Sequence, residues 1–118
     1  MTIRQPTGYI LSTLLLCSSV FFGGIASADA ISEGKQVAFD RKKGNCLACH
    51  MIPGGSLPGN IGPPLVAMKA RFPEKAALRE QIWDATVKNP NTIMPPFGKH
   101  RILTEAEIDL VTEFIHSL

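Results

Sequence analysis

Residues 46–50 read Cys46-Leu47-Ala48-Cys49-His50, and no other segment constrains the chemistry of this chain as tightly. Two thiols stand three positions apart, and a histidine follows at once. A disulfide across so short a loop would restrict the unfolded chain very little, so a structural staple is a poor reason for the pair. A zinc site would need a second set of ligands at matched spacing. No cysteine follows Cys49, and neither His100 nor His116 stands at ligand spacing from the motif. Attachment of a porphyrin explains every position. Two thiols spaced by two residues reach the two vinyl groups on one edge of the ring, and the next side chain is then aimed at the iron. Cys46 and Cys49 are thus the candidate covalent anchors of one haem c, and His50 is the candidate proximal ligand through its Nε2.

Upstream of the motif, Arg4 is the only charge before a mostly apolar run over residues 9–25, which Ala26-Ser27-Ala28 closes. That order predicts a secretory signal peptide over residues 1–28 with an A-x-A cleavage site. The run is too short, and too rich in small residues at its end, to predict stable membrane insertion. The third cysteine, Cys17, would leave with the signal. Leu16 before it is bulky where a lipidation site wants a small residue. The mature chain, residues 29–118, is expected in the periplasm as one domain of about ninety residues.

The whole chain carries 12 basic and 10 acidic side chains, and losing Arg4 leaves the mature part nearly neutral. Arg41-Lys42-Lys43 is a short run rather than a stripe, which excludes a nucleic-acid footprint. It could steer an acidic redox partner, or simply be the solvated end of a helix.

Hydrophobic periodicity predicts three helices, joined by Pro/Gly-rich segments with no alternating strand pattern. The first is expected from Ile31, with Ser32 as N-cap, to the basic residues 41–43, with Gly44 ending it. Residues 53–64 hold four prolines and four glycines and cannot be regular structure. A second helix is expected to open with Pro73 at its first position and to stop at Asn89-Pro90. The third has the clearest start, since Thr104-Glu105-Ala106-Glu107 has the form of a capping box. Its apolar face would be Ile108, Val111, Phe114 or Ile115, and Leu118. Gly34 and Phe39 could mark a close crossing of the first helix with the last at Phe114. The prediction is all-α, three main helices around one covalent haem, which supplies core that so small a domain lacks.

A low-spin electron carrier needs a second axial ligand. Met51 adjoins the proximal histidine and cannot reach around the ring, and Met68 reads as a gap-filling core residue. Met94 lies in Thr92-Ile93-Met94-Pro95-Pro96-Phe97, where two prolines fix a non-helical backbone that could hold a sulfur against iron. Met94 is the favoured candidate and His100 the next. Thioether ligation would raise the reduction potential and favour electron acceptance. A ligating imidazole usually donates its other N–H to a carbonyl, and Pro63 in Ile61-Gly62-Pro63-Pro64-Leu65 offers one on a stiff backbone. An ordinary loop proline is the alternative.

The order of N-terminal helix, attachment motif, Gly62-Pro63-Pro64-Leu65, Met94-Pro95 and C-terminal helix resembles class I cytochromes c. That resemblance implies a hydrogen bond from His50 to the Pro63 carbonyl. The segments Gly59-Asn60-Ile61-Gly62-Pro63-Pro64-Leu65, Arg71-Phe72-Pro73, Gln81-Ile82-Trp83-Asp84-Ala85-Thr86, Met94-Pro95-Pro96-Phe97-Gly98 and His100-Arg101-Ile102-Leu103-Thr104 are similar to the SoxX family. These are the monohaem subunits of SoxAX cytochromes. The resemblance implies a heterodimer with a SoxA-like cytochrome. It also implies a role in the oxidative joining of thiosulfate to a cysteine on a SoxYZ-like carrier, with electrons passed to a downstream cytochrome c. The mature chain has no cysteine left over as a nucleophile, so the sulfur chemistry would belong to a partner and no catalytic residue is expected here. His100 could serve the partner interface or be a plain surface residue. A free-standing monohaem carrier is the rival reading, and a ligand sensor or peroxidase-like protein with an open sixth position is a third.

Overall fold

A computed structural model describes Thr2 and residues 23–118, with side chains described from Ser27 onward. The apolar run of the expected signal peptide, up to its last few residues, and Cys17 lie outside the described residues. Helix α1, Gly23–Phe39, starts well before Ile31. Ala26, Ala28 and Ala30 are strong helix formers with no breaker among them, so the helix runs through this stretch and Ser32 is an exposed interior residue rather than a cap. At the other end Asp40 turns the chain, its carboxylate accepting from the Lys42 amide at 2.8 Å. The Gly44 amide then donates back to the Val37 carbonyl at 3.1 Å, which brings the chain into the cysteine motif.

Three further helices follow: α2, Met68–Arg71; α3, Lys75–Trp83; and α4, Glu105–His116. The single turn of α2 was not predicted, because four residues are too few to show a helical period. Pro73 falls just outside α3, whose N-cap is Glu74. That helix ends at Trp83, ahead of the expected stop, because Asp84 is extended and its side chain accepts from the Thr86 amide to start a short 3₁₀ turn, Ala85–Val87. The capping box of α4 forms as read: Thr104 accepts from the Glu107 amide and Glu107 from the Thr104 amide.

Helix α4 is the spine of the molecule. Ile108, Val111, Phe114 and Ile115 are buried on its inner face. It crosses α1 closely, since a Cβ at Gly34 would collide with the Leu110 carbonyl. Phe39 and Phe114 meet edge to face there, with ring centroids 5.8 Å apart. Helix α3 packs on α4 through Leu78 and Ile82. On the surface Arg79 reaches Glu105 and Asp109, and Lys75 reaches Glu113 at 2.8 Å. Each exposed pair is worth at most about 1 kcal/mol, so the apolar seam holds the helices together. All described regular structure is helical, with α1, α3 and α4 as the three main helices. No described helix is long and apolar enough to cross a membrane.

Candidate haem site

The helices leave a cleft, partly open to solvent, between the cysteine motif, the Pro63 loop, α3, α4 and the Met94 loop. Its walls are mainly apolar, with Leu65, Leu78, Ile82, Phe97, Val111 and Ile115 among them, and Arg71 and Gln81 as polar contributors. Cys46 and His50 of the motif, Pro63 and Met94, from three separate stretches of the sequence, all face it. Cys49 is half-buried and is not one of the lining residues, although it lies on the same turn.

The motif is a tight turn. Asn45, in the left-handed conformation, opens a 3₁₀ turn over Cys46–Ala48, and the Cys46 carbonyl accepts from the amides of Cys49 and His50. The glycine-rich loop then wraps it. The Gly59 amide donates to the Leu47 carbonyl at 2.7 Å and the Gly62 amide to the Cys49 carbonyl at 2.8 Å. Gly59 packs on the Ala48 carbonyl and Gly62 on the His50 ring, where a Cβ at either would collide. These two glycines therefore exist for close approach, a role that their loop composition did not reveal.

His50 Nδ1 lies 2.7 Å from the Pro63 carbonyl oxygen. A carbonyl only accepts, so Nδ1 carries the proton and Nε2 keeps its lone pair for a metal. Burial pushes the Cys46 thiol up to about 11, which keeps it neutral at physiological pH. A thioether in the same place would have no charge to desolvate.

Of the candidates for a second axial ligand, only Met68 and Met94 line the cleft. Met51 is exposed beside His50, and His100 is exposed. His116 Nε2 is 3.0 Å from the Phe72 carbonyl. The sulfur of Met68 already accepts from Arg71 Nη1 at 3.3 Å, and the residue is 1 % exposed within the core. No hydrogen bond engages the Met94 sulfur among the described residues. Arg71, quoted above only within a segment of resemblance, was given no role from sequence. Its guanidinium also donates to the Pro64 carbonyl at 2.7 Å, next to the carbonyl that holds His50. Among the described residues no three His, Cys, Asp or Glu side chains gather as a metal-binding cluster. An oriented imidazole and a thioether sulfur thus open onto one mainly apolar cleft.

An "Uncharacterized lipoprotein" of Aquifex aeolicus (strain VF5) is 36% identical over 76 residues, which cover 64% of this chain and 37% of that relative. This chain thus spans little more than a third of the relative's length. The family model described as cytochrome c oxidase, cbb3-type, subunit III matches residues 29–115. That match takes in every segment that walls the cleft, and the chain belongs to this family of cytochrome c domains: it is a haem-binding electron-transfer protein.

Proposed function

We propose that the chain carries one haem c, bound through Cys46 and Cys49, with His50 and Met94 as axial ligands, and serves in the periplasm as the electron-accepting subunit of a SoxAX-type L-cysteine S-thiosulfotransferase. The observation that carries the ligand assignment is the opening of His50 and Met94 onto one apolar cleft, with His50 Nδ1 committed to Pro63. Haem bound there supplies a one-electron couple. The chain's own residues would hold the ring in an apolar cleft, orient the imidazole and present the sulfur.

The finer assignment is supported by the five SoxX-like segments and by the absence of any cysteine beyond the attachment pair in residues 29–118. In the reaction a carrier cysteine thiol and thiosulfate form a sulfur–sulfur bond. The thiol proton is lost and two electrons leave, one at a time through a monohaem acceptor. With no nucleophile of its own, this chain receives electrons from a SoxA-like partner and passes them to a downstream cytochrome c. Export is supported by the A-x-A pattern at residues 26–28 and by the relative's name as a lipoprotein.

Purification from native periplasm, followed by haem absorbance on size exclusion, tests the assignment. Co-elution with a second cytochrome and thiosulfate-conjugating activity is expected. A lone haem protein of about ten kilodaltons would instead make the chain a free-standing electron carrier.

A further inference from the structure

Asp84 is the only charged side chain that the fold buries among the described residues, and no part of the haem reading uses it. A buried carboxylate persists only where each oxygen is partnered. Here the two oxygens serve two different pieces of chain. Oδ1 accepts from the amide of Thr86 at 3.0 Å and from its hydroxyl, at the start of the segment that leads to Met94. Oδ2 accepts from Lys99 Nζ at 2.9 Å, on the segment that leads away from it. One carboxylate therefore closes the neck of the loop that carries Met94.

The neighbouring residues reinforce that neck. The Trp83 carbonyl accepts from the amides of Gly98 and Lys99 at 3.1 and 3.3 Å. Gly98 is packed so tightly on the Trp83 ring that a Cβ would collide with it. Between the neck and Met94 the chain is stiff on both sides. Pro95 and Pro96 fix φ between Met94 and the buried Phe97. On the other side the amides of Asn89, Thr92 and Met94 donate in turn to the Ala85 carbonyl, the Asn89 carbonyl and the Thr92 hydroxyl, at 3.0–3.2 Å. A displacement at the neck is thus transmitted to the sulfur rather than absorbed.

We infer that Trp83-Asp84 and Gly98-Lys99 form a clasp that positions the Met94 sulfur, with Asp84 and Lys99 as positioning residues that touch neither iron nor haem. The inference rests on Met94 being an axial ligand. Opening the clasp releases the loop without unfolding the helices, so it changes how often the sulfur leaves the iron.

The test is the rate at which imidazole binds the oxidised holoprotein, since imidazole enters only when the sulfur departs. The sulfur-to-iron absorption band and the reduction potential are read on the same samples. Asp84→Asn is expected to raise the rate roughly tenfold, the scale of one charge-assisted hydrogen bond, and to lower the potential. Lys99→Met, at an exposed side chain, should raise the rate less, and Lys99→Arg should restore it. Lys75→Met, which breaks a surface pair on α3 remote from the neck, should bind imidazole at the wild-type rate. Wild-type rates in both Asp84→Asn and Lys99→Met would overturn the clasp, as would an equal acceleration in Lys75→Met. Met94→Ala separates the two claims. Loss of the band in that variant keeps the ligand assignment even if the clasp fails, whereas an unchanged spectrum removes the ligand and the clasp together.

Discussion

His50 is fixed by the Pro63 carbonyl on Nδ1 and by the close approach of Gly62 to its ring. The first fixes which nitrogen faces the cleft, and the second fixes where the ring lies. Gly62→Ala would push a methyl group into the imidazole. It is expected to destabilise the holoprotein by about 1–3 kcal/mol, the usual cost of overpacking. Guanidinium unfolding followed at the haem absorbance checks this, and wild-type stability would show that the ring has room to move. Cys46, Cys49 and His50 were legible as candidates because attachment chemistry dictates their spacing, and the structure brings Cys46 and His50 to the cleft. The role of Gly62 was not, since it depends on a loop folding back over the motif. The cleft position of Met68 was equally hidden: its burial was foreseen, but not that the same apolar surface would face the ring.

Between elements, the crossing of α1 and α4 and the cap of α4 bear most directly on stability. At Gly34 no side chain fits against the Leu110 carbonyl. Gly34→Ala must spread the two helices and is expected to cost about 1–3 kcal/mol or more, read as a lower urea midpoint. In the cap, Glu107 pairs with Lys43 at 2.6 Å, and the Lys43 ammonium, then the Thr104 amide, hold its carboxyl below the ordinary value. The unfolded chain therefore takes up this proton first. The contribution is complete above the ordinary carboxylate value of about 4.3 and is lost as pH falls through the lower folded value. Glu107→Gln keeps the capping geometry and removes the charge. Its unfolding midpoint should depend less on pH than that of the wild type below about 4.3, and an identical acid limb in both would contradict the pairing. Helix α4 was readable to the residue because a capping box is local. The early start of α1 and the early stop of α3 were not. The first is a matter of accumulated alanine propensity through the expected cleavage site. The second turns on Asp84 leaving the helix to accept from the Thr86 amide and start a 3₁₀ turn, where the sequence pattern offered Asn89-Pro90 as the stop.

At the scale of the whole molecule, the cleft lies beside the seam of α3 and α4 and is walled by both helices and by the loops. Its walls supply much of the apolar surface of a small domain, and a domain of this size has little to spare. Apoprotein is expected to lose most of its helical circular dichroism and all cooperative unfolding, whereas a sharp native-like transition without haem would show that the helices close on themselves. The all-α architecture was legible because period, caps and Pro/Gly punctuation agreed, and the match over residues 29–115 fits it. The sequence offers a redox partner only through a resemblance, because partner choice is decided at a surface that neither period nor spacing describes. The central claim is covalent haem on this motif, and intact mass of the purified chain after acidified organic extraction tests it most directly. The chain is predicted to retain the mass of one haem with both Cys46 and Cys49 consumed; a chain that emerges haem-free with two titratable thiols would contradict the account.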